Sequence, residues 1–195
     1  MNNGLFKIET NHVKPKKGRI LVAEPFLAGS YFNRAVVLLA AHDKDGSIGF
    51  ILNKKVAYSL NEVIKNFPAI DSEVFIGGPV NSDSLYYIHT LGKDLPGSVK
   101  INDNLYWGGD LGKLKYQISI GMVHPWQIRF FLGYSGWDKG QLEEEQKENL
   151  WLVSDIDNKN ILTYSTQKQM WTLAVRKIGG KYSLWVNYPE DPSLN

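Results

Sequence analysis

The sequence predicts a single mixed α+β domain, and three observations carry that reading. Short continuous apolar runs rich in β-branched residues alternate with segments of helical period, so both kinds of element are present. Several strand-like runs are joined by turns too short for a helical crossover, which argues against a doubly wound parallel sheet. Finally, 195 residues, 43% of them hydrophobic, suffice to bury one core, and no linker is long enough to divide the chain.

Residues 1–17 are polar and basic, end in Lys14-Pro15-Lys16-Lys17 and have no apolar period. They read as a flexible arm leading into a domain of residues 18–187, with a turn-rich tail over 188–195. Ile20-Leu21-Val22-Ala23 and Ala35-Val36-Val37-Leu38-Leu39-Ala40 are unbroken apolar runs, the pattern of buried strands. Asp45-Gly46 supplies a tight turn into Ile48-Gly49-Phe50-Ile51-Leu52, a hairpin partner for the run before it. Ser59-Leu60-Asn61-Glu62 is a capping box, after which Leu60, Val63, Ile64 and Phe67 keep helical spacing until Pro68.

Residues 73–76 and 85–89 read as a strand pair with the glycine corner Gly77-Gly78-Pro79-Val80 between its members. Asp110 is placed to cap a helix carrying Leu111, Leu114 and Ile118, which Gly121 ends. A strand over 128–134 and a polar helix over 141–149 follow. Met170, Trp171, Ala174, Val175 and Ile178 share one face of the last helix, Gly179-Gly180 stops it, and 182–186 reads as a final strand.

Charge and composition exclude several classes. With 22 basic and 20 acidic side chains the net charge is +2, too small a field to imply nucleic acid or an anionic membrane by itself. The lack of cysteine removes disulfides, thiolate catalysis and cysteine-ligated metals, and fits a reducing compartment. No signal-peptide pattern and no apolar run near the ~20 residues of a membrane span occurs, so a soluble protein of the bacterial cytoplasm is expected, without a membrane partner.

Candidate chemistry is sparse. Gly77-Gly78 after a strand suits a backbone anion nest, but Pro79 contributes no N–H and no phosphate-loop spacing is present; a strained turn that sets sheet curvature is the structural alternative. Gly133-Tyr134-Ser135-Gly136 approaches a nucleophile elbow, yet Trp137 occupies the place where that motif needs glycine. His42, Asp43, Asp45, His89 and His124 are raw material for a metal, but none has ligand spacing, so neither metal nor cofactor is expected. Glu143, Glu144, Glu145 and Glu148 read as the solvated face of a helix. If that helix begins early, however, Trp137, Gln141, Glu145 and Glu148 form one stripe, a polar groove walled by indole. The basic arm is the only cluster suited to nucleic acid, and Asn33-Arg34 and Asn53-Lys54-Lys55 converge at strand ends.

Four ordered motifs point to a family. They are Gly18-x-Ile20-Leu21-Val22-Ala23-x-Pro25 with Phe32-x-Arg34, then His42-x-x-x-Gly46-x-x-Gly49-x-x-x-Asn53, then Gly77-Gly78-Pro79-Val80 with His89. The fourth is Gly133-Tyr134-Ser135-Gly136-Trp137-x-x-Gly140-Gln141-Leu142-Glu143-x-Glu145 with Asn149 and Trp151. Over residues 18–180 the chain resembles the AlgH/YqgE family of small bacterial proteins, often labelled transcriptional regulators without an established mechanism. The resemblance implies a strongly bent mixed or antiparallel sheet forming a pseudo-barrel with helices packed outside. It supplies no agreed catalytic residues, and Ala35 stands where the family often has serine.

The expected function is a non-enzymatic regulatory or ligand-binding protein with a protein or small-molecule partner. Its cleft is expected to gather His42, Asn53, Gly77, Gly78, His89, Trp137, Gln141 and Glu145 at strand ends. The alternatives are a hydrolase of a small anionic substrate using His89 or Glu145 as base, and direct DNA contact through the arm.

Overall fold

The computed structural model describes residues 9–163 and 167–189. The first elements are β1 (Ile20–Ala23), β2 (Val36–Asp43), β3 (Gly46–Ile51), α1 (Leu60–Val63), β4 (Val74–Ile76), β5 (Val80–His89), β6 (Val99–Asn102) and β7 (Leu105–Trp107). After them come α2 (Leu111–Ser119), β8 (Ile128–Asp138), α3 (Gln141–Lys147), β9 (Trp151–Ser154), α4 (Asn158–Thr163) and α5 (Gln167–Ile178). The nine strands form one sheet in the order β6-β7-β5-β8-β3-β2-β1-β9, with β4 beside β8. The chain is thus the α+β domain expected, but the sheet does not close, because β6 and β9 do not pair with each other.

β8 holds the two halves together. Its first part lies between β5, antiparallel to it, and β4, parallel to it, so that Phe130 faces both Tyr87 and Val74. Its last part, Ser135 to Asp138, pairs antiparallel with Gly49 to Gly46 of β3. The strand pair expected from residues 73–76 and 85–89 is therefore not formed directly, since β8 runs between its members.

Alternation along β2 shows how the faces are filled. Val36, Leu38 and Ala40 join a core with Phe50, Phe131, Ile88 and the α5 residues Met170, Trp171 and Val175. Val37 and Leu39 point the other way, into a second cluster with Leu21, Ile51, Trp137, Leu142 and Trp151. In the first cluster Phe50 lies 5.1 Å from Phe131 and 5.9 Å from both Tyr86 and Trp107, ring contacts that each add about 0.5–1.5 kcal/mol beyond area burial. Arg129 is buried there, its guanidinium 3.7 Å from the Phe75 ring and donating to the carbonyls of Leu52 and Ile161. Burial pulls its pKa down to about 9.

Several local outcomes differ from the periodicity. The Ser59–Glu62 capping box forms, but α1 ends at Val63: Ile64 is extended, and the Asn61 side-chain amide donates to the Phe67 carbonyl, folding the chain back. The final segment is a 3-10 helix over Gly180–Asn187 instead of a strand. Tyr182 and Trp185 are both buried, which a period of three achieves and an alternating strand does not. The Asp110 cap and the Gly121 stop of α2 form as expected. Thr10 and Asn11 lie against β9, where Asn11 exchanges hydrogen bonds with Val153 and Thr10 donates to the Trp151 carbonyl. Among the described residues no helix is long and apolar enough to cross a membrane.

Candidate functional site

A bulge in β2 creates the chemistry of a depression beside the end of β8. Leu39 faces Gly49 and Ala41 faces Ile48, so Ala40 and Ala41 together oppose one residue of β3. The extra residue reverses the phase of the strand. Ala41 and Asp43 consequently share the face of Ile48, whereas His42 turns to the opposite face with Ser47.

The face carrying Asp43 is a groove of about 540 Å³ where the two half-sheets diverge. Its apolar walls come from Ala41, Ile48, Val80 and Tyr134, and its rim carries Asp43, Asp45, Asp138 and Gln141. No lysine, arginine or histidine lines it among the described residues. Gly136 forms part of the floor: a Cβ there would stand 3.3 Å from the Tyr134 ring and 3.6 Å from a Val80 methyl, ordinary or slightly tight contacts.

The opposite face of the same strands is closed by α3. Glu145 accepts hydrogen bonds from the indole N–H groups of Trp137 and Trp151, both 2.8 Å, through one carboxylate oxygen, and from the Gln141 amide through the other. The Gln141 carbonyl in turn accepts from the Asp138 backbone N–H at 3.0 Å. One carboxylate thereby ties the end of β8, the helix and the start of β9 together. Gly49 makes room for this arrangement, since a Cβ there would lie 2.7 Å from Val37 and 3.2 Å from the Trp137 ring. His42 lies beneath α3 as well, 2.8 Å from the Ser47 hydroxyl and 3.8 Å from Glu143.

The residues expected to form the cleft divide accordingly. Trp137 and Gln141 line the groove, and Glu145 and His42 lie just behind it, under α3. Asn53, Gly77, Gly78 and His89 do not line it and are buried. The Asn53 side chain accepts from the Val36 N–H and donates to the Arg34 carbonyl, both 2.8 Å, and so completes the β2 ladder. Gly77 and Gly78 form a close approach to β8, where added Cβ atoms would fall 2.1 Å from the Gly133 carbonyl and 2.4 Å from the Tyr134–Ser135 backbone. Their corner is a close backbone contact, and the Gly77 N–H donates to the Leu132 carbonyl at 2.7 Å instead of pointing at a ligand.

His89 is fully buried on β5, with Nε2 at 2.9 Å from the Gly108 carbonyl and Nδ1 accepting from the Leu91 N–H. Burial holds its pKa below the ordinary value. Ser135 is buried too and donates to the Gly77 carbonyl at 3.0 Å, so neither group addresses the groove. In the basic segment Arg19 pairs with Asp155 at 2.9 Å and Lys17 donates to the Lys100 carbonyl. No cluster of three potential metal-binding side chains occurs among the described residues. Sequence reading passes over the groove residues Val80, Tyr134, Gly136 and Asp138; their signal is the alternation 134, 136, 138 on a strand that continues through the glycine-tryptophan motif.

Comparison with known proteins agrees with this architecture. A model of the AlgH-like family matches residues 20–183. A UPF0301 protein of Bacteroides thetaiotaomicron is 43% identical over 100% of this chain and 99% of its own length. A UPF0301 protein of Parabacteroides distasonis is 45% identical over 98% of this chain and 97% of its own. The crystal structure of a Corynebacterium diphtheriae protein superposes with a TM-score of 0.75 at 22% identity, covering 92% of this chain and 95% of that one. The solution structure of AlgH from Pseudomonas aeruginosa gives 0.70 at 25% identity, covering 91% and 98%. With the matched segment running from β1 into the last 3-10 helix, this chain belongs to the AlgH-like family.

Proposed function

We propose that the protein is a non-catalytic, cytoplasmic binding protein whose regulatory effect is exerted through a ligand or partner held in the groove between Asp43 and Asp138. The observation that carries this reading is the groove itself: about 540 Å³, apolar on its walls, with polar groups at the rim. Catalysis finds less support there. His89 and Ser135 are buried with their polar atoms engaged, and the Glu145 carboxylate already accepts from two indoles and an amide. Direct DNA contact through the basic segment is likewise less supported, because Lys17 and Arg19 bond to the body of the protein. Transcriptional regulation, on this reading, runs through the bound partner.

The test combines a panel of metabolites and short peptides, followed by amide chemical shifts, with a hydrolase screen. Expected are shifts at Gly46, Tyr134 and Gly136 for at least one compound, lost in Gly136→Val, and no turnover. Turnover in the wild type that disappears in His89→Ala would reverse the assignment.

A further inference from the structure

The unoccupied side of β8 narrows the choice of occupant. Residues 128–134 pair with β5 and residues 130–132 also with β4, but residues 136–138 pair with β3 alone. β5 begins at Val80, opposite Tyr134, so it does not reach along β8 past residue 134. Among the described residues no strand adjoins Gly136 to Asp138 on the side away from β3. In the place where a neighbouring strand would offer a carbonyl, the Asp138 N–H is met by the Gln141 side chain. An open edge of this kind is a template for an added strand. It borders the groove, because Gly136 and Asp138 are lining residues.

We propose that the groove takes an extended peptide segment of a partner protein, laid beside Gly136 to Asp138 and carrying lysine or arginine side chains alternating with apolar ones. This rests on the binding-groove reading above. The chemistry follows from the lining. Main-chain groups of the segment continue the ladder beyond the start of β5. Apolar side chains lie against Ile48, Val80 and Tyr134, and cationic ones meet the rim of Asp43, Asp45 and Asp138, which no lining cation neutralises. An extended chain is favoured over a helix because a strand edge supplies hydrogen-bond partners only to backbone in the extended state.

A displayed library of random heptapeptides, selected on the wild-type protein and counter-selected on Gly136→Val, tests this. Expected is enrichment of sequences with lysine or arginine at alternate positions. A synthetic winner should bind at least tenfold more weakly to the Asp43→Asn/Asp138→Asn protein, lose affinity as salt rises, and bind at least tenfold more weakly when its central amides are N-methylated. The Asp43 carboxylate accepts the Asp45 N–H at 2.9 Å, and Asp43→Asn retains a side-chain oxygen for that bond. The double variant therefore keeps the turn and serves as the control should Gly136→Val fail to fold. Enrichment of acidic or uncharged sequences, or indifference to N-methylation, overturns the peptide proposal. If no peptide is enriched while a small molecule still shifts Gly46, Tyr134 and Gly136, the peptide proposal fails and the groove reading survives; if nothing shifts them, both fail.

Discussion

The end of β8, from Ser135 to Asp138, has two faces with opposite fates. Under α3, Trp137 is 5% exposed and every polar group it meets is satisfied by Glu145 or its neighbours. On the other face, Gly136 and Asp138 border an open groove. The motif tryptophans, with Gly49, serve the closed face, where bulk and hydrogen bonds are matched. The motif residues Gly46, Val80, Tyr134 and Gly136 line the groove. Alternate residues of the same motifs therefore build the closed scaffold and the open surface.

The most severe way to break this contrast is Trp137→Ala. Removing a buried indole at the junction of β8, α3 and β9 should cost about 3–5 kcal/mol. Thermal unfolding should fall by roughly 6–20 °C, at ~2–4 °C per kcal/mol for a chain of this size. A fall within ~3 °C would remove the scaffold role. Glu145→Ala comes next, at about 2–3 kcal/mol, since it strips two indole N–H groups of their acceptor. Glu145→Gln, which keeps an acceptor oxygen, should recover part of that loss in the same melting experiment.

His89 sharpens the comparison by pH. Its pKa is lowered in the folded state by burial, so the unfolded chain takes up its proton first as pH drops below ~6.5. Stability should be undiminished by this residue above that pH and should decline below it, until the folded-state pKa is reached. In His89→Gln, denaturant unfolding measured between about pH 7.5 and 5.5 should show a shallower slope of stability against pH; an unchanged slope would assign the pH dependence elsewhere. The smallest stability effect belongs to the groove. Asp43→Asn/Asp138→Asn should move the melting temperature by no more than about 2 °C, as surface substitutions usually do, while weakening binding at least tenfold in the peptide experiment. A large drop in stability would place these carboxylates with the scaffold.

Much of this architecture is legible in the sequence, for reasons that lie in particular residues. Continuous apolar runs announce β1 and β2, Asp45-Gly46 announces the hairpin, and the Met170 to Ile178 face announces α5. What escapes is set by pairing over long separations. Nothing in residues 73–89 says that β8, far along the chain, will separate β4 from β5. β6 is short and half polar, β7 is only three residues long, and β9 is four. The neighbourhood of Trp137, Gln141 and Glu145 is legible as a helical stripe, although Trp137 lies within a strand and reaches Glu145 across the turn. The burial of Asn53, Gly77, Gly78 and His89 is not legible, because polar and glycine residues at strand ends look alike whether they finish a ladder or open to solvent.

The irregularity at Ala40–Ala41 has a consequence for how this surface can change. Closing the bulge at constant chain length would pair Ala41 with Ser47 and His42 with Gly46, and so exchange the faces of His42 and Asp43. An aspartate would then be driven beneath α3 toward Glu143, while an imidazole would enter the mouth that Asp43 now makes acidic. Losing one alanine, by contrast, removes the bulge and the extra residue together and leaves His42 opposite Ser47, so the register of the strand, more than its length, keeps this mouth acidic.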